Sequence, residues 1–400
     1  MPSRANPPIN TLSDGQALDT EEKLGAINDN NQMLSAKFGA LTLDDLHTAT
    51  GDFDVYGDID VRNYDILSVE SVLGIIDINQ STDPLQTILD SVGDDGGGVV
   101  FLPAHTSYGL THTVMVTNRH SNVQIVGGGP SSVFFAVTSD ANPLFQFDGC
   151  KRFALQDVHL SGKRGVISDV SAILVTNCHD CSGAIDRVRV GPRPGNQNAN
   201  QTSLGFGGDG VRVLNSSELR IHDCTVVRCG DIGVKIHAAG TSPSSWCRNV
   251  ILSDCAIEEN GQGVFVTTED FTTSDYTTDL KDITISSNRI RYNRREGVSV
   301  SKDASGALFT GNKCHNNSTF IPGGYVGLRI AGDSVDDRPV VGTLVVGNDF
   351  VDVRDSSAPS STLTQKHHVT IWNDVTHTAI YYNSLNKTTG DRAAIAVNWN

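Results

Sequence analysis

The sequence predicts an all-β chain wound as a parallel β-helix, a solenoid of short strands stacked coil on coil. Two recurring phrases predict it. The first closes a strand with a small or polar residue, then Asn or Cys, one variable residue and an apolar one: Asp223-Cys224-Thr225-Val226, Asp254-Cys255-Ala256-Ile257, Ser287-Asn288-Arg289-Ile290, Gly311-Asn312-Lys313-Cys314, Gly347-Asn348-Asp349-Phe350 and Tyr382-Asn383-Ser384-Leu385. Successive Asn/Cys positions lie 31, 33, 24, 36 and 35 residues apart, a coil of constant core with loops of variable length. The second phrase is Gly followed by two apolar residues around one variable position: Gly210-Val211-Arg212-Val213, Gly233-Val234-Lys235-Ile236, Gly263-Val264-Phe265-Val266, Gly297-Val298-Ser299-Val300 and Gly327-Leu328-Arg329-Ile330. Period-2 alternation sends the flanking apolar residues inward and the middle residue outward, so each coil carries at least two strands. No helical pattern intervenes to cover a flat sheet, so the strands stack, with equivalent residues about 4.8 Å apart. Asn288, Asn312, Asn348 and Asn383 are expected to form a turn ladder of mutually bonded amides. Val158, Val188, Cys224 and Cys255 fill the same slot in earlier coils.

Composition fits thin coils packed on aliphatic columns: 400 residues, 38% apolar but only 6% aromatic. The formal net charge of −16 argues against nucleic acid as a partner, because phosphate binding needs a basic surface. Asp outnumbers Glu 38 to 8, which suits solenoid turns and also a high-salt setting. No run of 18 apolar residues is present, so no membrane insertion is expected. Cys178 and Cys181 form a CxxC around His179, and Cys224 and Cys229 lie near His222. A second CxxC is missing and Cys224 and Cys255 sit in the ladder column, so buried, reduced cysteines are expected, with a disulfide as the alternative, and no metal or cofactor.

The chain divides into residues 1–50, 51–80 and 81–400. In the first segment Leu24, Ile27, Leu34, Phe38 and Leu41 follow heptad spacing, with Asn31 at the missing core place, as in a short oligomer-forming or attachment helix. Met1 to Pro8 carries no apolar signal-peptide core. The second segment opens on Asp52 to Val61, alternating acidic and apolar residues as in a strand or hairpin with one wet face. The third opens on an amphipathic helix with Thr82 or Asp83 as N-cap, Pro84 first, Leu85, Ile88 and Leu89 on one face, and Gly93 beyond its end. Its apolar stripe is expected to lid the raw end of the stack.

After this helix comes Gly96-Gly97-Gly98-Val99-Val100-Phe101-Leu102-Pro103-Ala104, and then Asn122-Val123-Gln124-Ile125-Val126-Gly127-Gly128-Gly129. Over residues 81–400 these phrases resemble the pectin-lyase-like right-handed β-helix superfamily, which includes phage tailspikes. The resemblance implies a right-handed parallel β-helix. It does not imply one activity, since lyases, hydrolases, epimerases and non-catalytic binders share the scaffold. With the segment that precedes the helix, it implies a virion spike or tailspike-like protein. Such a protein would be a homotrimer displayed on the virion surface, or secreted in the alternative, joined to other virion proteins through residues 1–80 and binding a host-surface polysaccharide or glycoprotein.

The outward column Arg212, Lys235, Phe265, Ser299, Arg329 offers cations for sugar carboxylates and a ring for sugar C–H faces, so Arg212, Lys235, Phe265 and Arg329 are the candidate glycan-binding residues. Glycoside hydrolysis needs a carboxyl pair, and Asp209, Asp231, Glu258, Glu259 and Glu296 all lie near this strand series. The motifs of pectin-cleaving hydrolases, Asn-Thr-Asp, Gly-His-Gly and Arg-Ile-Lys, are missing, and no pair is singled out as catalytic. A polysaccharide lyase or glycoside hydrolase on the same scaffold is the alternative reading. The polar insertions 191–208 and 267–280 are candidate binding or subunit loops.

Overall fold

The computed structural model describes residues 84–104, 107–138, 140–162, 171–192, 206–240, 245–269, 279–320, 324–333, 338–352, 367–387 and 395–398, with short strands at 54–55, 59–60 and 66–68. The chain forms two units, residues 1–65 and 66–400. In the first, Asp54–Val55 pairs antiparallel with Ile59–Asp60. The heptad segment and the proposed N-cap lie outside the described residues.

Among the described residues the second unit is a parallel β-helix of ten coils. Each coil contributes one strand to each of three sheets, from Gly98–Leu102, Ser107–Leu110 and Val114–Thr117 in the first to Ala379–Tyr381, Ser384–Lys387 and Ile395–Asn398 in the last. We call these sheets I, II and III in the order the chain visits them. Sheets II and III have ten strands each, and sheet I has fifteen. The extra ones are Ile66–Ser68, which pairs parallel with Gly98–Leu102, and a side row beginning at Asp279–Lys281. The register is continuous. In sheet I, Val100, Ile125, Leu155, Ile185, Ile221, Leu252, Ile285, Phe309, Val345 and Ile380 stand above one another. All but Ile380 are fully or almost fully buried, and Ile380 packs against the same core.

The two recurring phrases are now legible as corners and strands. At the corner from sheet I to sheet II, the residue before the ladder slot takes a left-handed backbone: Asp223, Asp254, Ser287, Gly311, Gly347 and Tyr382 have φ of 50°, 58°, 57°, 64°, 65° and 52°. That conformation favours Gly, Asn and Asp, which explains the small or polar letter. Its N–H is spent on the next coil, as in Asp223 N to Ser253 O, 3.1 Å, and Gly311 N to Val346 O, 3.2 Å. The following side chain turns inward. Asn288 Nδ2 donates to Asn312 Oδ1 at 3.0 Å, Asn312 to Asn348 at 2.9 Å, and Asn348 to Asn383 at 2.9 Å. Each amide also donates to the carbonyl of a residue on the preceding coil, as Asn312 does to Ile285 at 2.8 Å. Cys255 N donates to Asn288 Oδ1 at 2.9 Å, which carries the ladder into the cysteine coils.

Two further ladders run along the other corners. Between sheets II and III, Asn260, Asn293 and Asn317 bond in series at 3.2 and 2.9 Å, and Cys229 N donates to Asn260 Oδ1 at 2.9 Å. Between sheets III and I the slot holds Cys150, Cys178, Ser216 and Cys247, linked by contacts of 3.6, 3.1 and 3.3 Å. Most of the cysteines therefore occupy corners. All eight are buried and free, and burial pushes the Cys181 and Cys247 thiols up to about 12.

The helix α1 (Pro84–Asp94) lids the first coil with Leu85, Ile88, Leu89 and Val92 buried. Gln86 acts as a surrogate strand partner: its Nε2 donates to Met115 O at 3.0 Å and its Oε1 accepts from Met115 N at 2.7 Å, covering an otherwise open sheet edge. Gly93 falls inside the last turn of the helix, not beyond its end as expected. A Cβ there would sit 2.6 Å from the His120 ring, so glycine serves close packing. The stop comes at Gly96, φ 92°, with Gly97 N donating to Val92 O at 3.0 Å.

Replacing Asn312 by Ala strips Asn288 of its acceptor and removes three donations, to Ile285 O and Asn348 Oδ1 in the interior and to Thr310 O at its edge. At about 1–3 kcal/mol per stranded buried group, denaturant unfolding is expected to show a loss of at least about 2 kcal/mol. A loss within about 0.5 kcal/mol, the range of an ordinary surface change, would contradict the ladder.

Candidate functional site

The outer face of sheet III carries the column expected from the second phrase. Arg212 pairs in register with Lys235, Lys235 with Phe265, Phe265 with Ser299, Ser299 with Arg329, and Arg329 with Thr370. The column does not stand clear of the surface. Lys235 is 9% exposed, Ser299 3% and Thr370 4%, while Arg212, Phe265 and Arg329 are partly exposed. Thr370 and Trp372 extend the row by one coil. They escaped the sequence reading because this coil opens on His367-His368, without the glycine of the phrase; the alternation Val369-Thr370-Ile371-Trp372 was the only signal.

Charge collects around the upper part of the row. Arg212 Nε donates to His237 Nε2 at 2.9 Å, so the imidazole presents its lone pair there and carries its proton on Nδ1. His237 is fully buried one residue beyond the Lys235–Ile236 pair, on the same face as Lys235. Asp209, 5% exposed, precedes the Gly210–Val213 phrase, and its Oδ1 accepts from Ile232 N at 3.2 Å. Burial raises its carboxyl above the ordinary value. The Lys235 ammonium opposes that shift and the Asp231 carboxylate adds to it. Lower down, Arg329 lies 3.9 Å from Glu296 and 5.0 Å from the centre of the Trp372 ring.

Both margins of the face are braced by ion pairs. Residues leading into the strands include Asp231, 2.6 Å from Arg295. Those leaving them include Lys302, 3.1 Å from Asp333, and Asp303, 4.0 Å from Arg338.

Of the five acids flagged in the sequence, Asp209, Asp231 and Glu296 border this face. Glu258 and Glu259 do not. Glu258 is on sheet II, paired with Arg289 and, at 3.0 Å, with Arg291; Glu259 is in the next corner, 2.7 Å from Arg228. Their arginines neutralise them, and the corner turns them away. Among the described residues no cluster of three or more His, Cys, Asp or Glu comes together as a metal centre, and no helix is long and apolar enough to cross a membrane. Of the two insertions, residues 193–205 and 270–278 lie outside the described residues.

The raised Asp209 value has a sign that can be tested. Below about pH 3.9, the ordinary aspartate value, folded and unfolded chains both hold the proton. Above it the unfolded chain ionises first, so stability falls with rising pH until the folded carboxyl also ionises. Asp209→Asn keeps the acceptor for Ile232 N and removes the titration. Melting curves across this window are therefore expected to fall less steeply with pH in the variant than in the parent, and parallel curves would refute the buried-acid assignment.

Comparison with known proteins follows the geometry. A family model described as a right handed beta helix region matches residues 145–279. No curated protein sequence matches the chain. Among solved structures, the surface protein and adhesin PfbA of Streptococcus pneumoniae is similar at a TM-score of 0.61 and 11% identity, over 84% of this chain and 100% of that one. The enzymatically active domain of tailspike protein 2 of bacteriophage CBA120 is similar at 0.53 and 12%, over 84% of this chain and 52% of that one. The full-length tailspike protein 2, from an Escherichia coli O157:H7 bacteriophage, gives 0.54 and 13%, over 84% and 46%. The chain thus spans about half the length of these two tailspike structures. At these identities the likeness is one of fold: the protein is a right-handed parallel β-helix.

Proposed function

We propose that this protein is a spike of a virus particle that holds a host-surface polysaccharide along the outer face of sheet III. The observation that carries this reading is the in-register column Arg212, Lys235, Phe265, Ser299, Arg329, Thr370. It presents one outward residue per coil at about 4.8 Å spacing, two cations, a ring, a hydroxyl, a cation and a hydroxyl in turn, in a partly sunken row. A polymer laid along the helix axis meets a fresh contact at every rung. Single contacts of this kind are weak, and several in one row, multiplied by copies in a trimer, give useful avidity. The long connections 193–205 and 353–366, outside the described residues, each follow a sheet II strand and precede a sheet III strand in the sequence. Attachment to other virion proteins through residues 1–80, and trimer formation, complete the proposal.

Asp209 favours a second reading, in which the same face also cleaves its ligand. A carboxyl whose proton affinity burial raises, against the opposing charges of Lys235 and Arg212, is of the kind that can protonate a leaving sugar oxygen.

Affinity electrophoresis of the full chain in gels containing a panel of bacterial polysaccharides is expected to show retardation by at least one of them. Lys235→Met and Phe265→Ala should each weaken it about tenfold without changing the melting temperature, and no retardation by any polymer would end the binding reading. Light scattering should give a trimer. In the second reading, new reducing ends or unsaturated-product absorbance appear with the parent protein and vanish with Asp209→Asn while retardation persists.

A further inference from the structure

The outer face of sheet I changes character along the stack. In its upper coils the outward positions include Asp186, Arg220 and His222. Over the last three coils the outward residues of its strands carry no acid, lysine or arginine. Leu308, Leu344 and Ala379 stand above one another in one column, and Thr310, Val346 and Tyr381 in the next. A third column, Ser305, Val341 and Thr376 of the side row, is equally neutral. These side chains are partly or fully exposed, Tyr381 to 56%. Over the same coils the other two faces keep their charges, with Lys313 beside Asp349 on sheet II and Arg329 on sheet III.

The corners beside this patch are flush as well. At the I-to-II turn, coils above it carry Asp157, Arg187, Asp223 and Asp254 in the left-handed position, whereas the eighth and ninth coils carry Gly311 and Gly347 at φ of 64° and 65°. Packing does not demand glycine there. A Cβ at Gly347 would meet nothing within 4 Å, and Ser287 and Tyr382 hold the same backbone with side chains in place. Two turns with room for a projecting side chain are thus left level with the sheet.

A chain of formal net charge −16 repels its own copies. Around a three-fold axis the constraint is stricter: a residue facing the axis meets the same residue of the other two copies, so any charge there is opposed by its like at short range. A neutral, level face is what such an axis admits, whereas a partner of opposite charge is drawn to the acidic surfaces. Three coils at about 4.8 Å by six residues at about 3.3 Å give a face of roughly 300 Å². That is well below the roughly 800 Å² per partner of a stable pairwise interface. The face therefore fits contact at a shared axis among copies that are also joined elsewhere, and not a free-standing dimer.

We infer that the lower part of sheet I, presenting Leu308, Thr310, Leu344 and Val346, faces two further copies of this chain across a three-fold axis. The inference rests on the trimer proposed above and names the surface through which its β-helices meet.

Cysteine cross-linking of the full-length chain tests it. All eight native cysteines are buried, so a short bismaleimide reacts with an introduced surface thiol in the folded protein. Thr310→Cys is expected to give at least about tenfold more covalently joined chains on a denaturing gel than Thr225→Cys, an outward position of sheet II. Leu308→Glu sets three like charges around the axis and should lower the Thr310→Cys yield about tenfold at unchanged melting temperature. Equal yields at the two positions, or a Thr310→Cys yield indifferent to Leu308→Glu, overturn the assignment of this face. Light scattering of the parent decides the trimer separately: a trimer with either of those results keeps the trimer reading and loses this interface, and a monomer removes both. If Thr310→Cys stays uncross-linked while Leu308→Glu weakens retardation in the polysaccharide gels, the face is a sugar platform and the contact between copies is refuted.

Discussion

The eight I-to-II corners from Asp157 to Tyr382 obey one constraint: a residue with left-handed backbone, then a side chain turned into the interior, repeated in register from coil to coil. The first places the N–H toward the next coil, and the second fills the space a tight turn would leave empty. Left-handed backbone in a non-glycine residue costs on the order of 1–2 kcal/mol, and Asp157, Arg187, Glu259, Tyr292 and Tyr382 all adopt it. The inter-coil hydrogen bonds and the ladders that follow offset the cost. Because a buried amide with an unmet donor is expensive, the asparagine ladders tolerate no slip of register, and the aliphatic columns inherit that alignment.

Rigid corners give the outer faces their usefulness. With the inside of each strand committed to the core, the outward residues of a sheet become a straight row at fixed spacing. Sheet II uses its row for ion pairs such as Glu258 with Arg291, which neutralise the surface. Sheet III differs in kind. Its row sinks between two braced margins and holds Lys235, His237 and Asp209 away from water, where charges interact more strongly than on an open surface. Groups in such surroundings are suited to recognition, and a rigid scaffold positions them at little cost in ordering entropy.

Legibility in the sequence tracked the strength of each physical signal. The I-to-II ladder stood out because its left-handed position is filled mainly by Asp, Ser and Gly. The II-to-III ladder, only five residues further on at Asn260, Asn293 and Asn317, was hidden because Glu259, Tyr292 and Asn316 fill its left-handed position and share no chemical type. The III-to-I ladder mixes Cys with Ser, so it read as scattered packing cysteines. The helix end was misjudged for a similar reason: Gly93 and Gly96 are alike in sequence, and only the approach of His120 tells a packing glycine from a terminating one.

Period and polarity along the chain determined the coil, its inward columns, the capping helix and the row Arg212, Lys235, Phe265, Ser299, Arg329, because alternation and stacking are local rules applied ten times. Tertiary structure decided the rest. Glu258 closes the strand of one phrase and falls on sheet II, whereas Glu296 precedes the other phrase and borders sheet III, so two acids equally near the strand series end at different faces. Burial of Lys235, Asp209 and Thr370 arises from neighbours one or more coils away. Which outward residues share a face, and which of them are withdrawn from solvent, is a property of the stacked coils, and no single coil contains it.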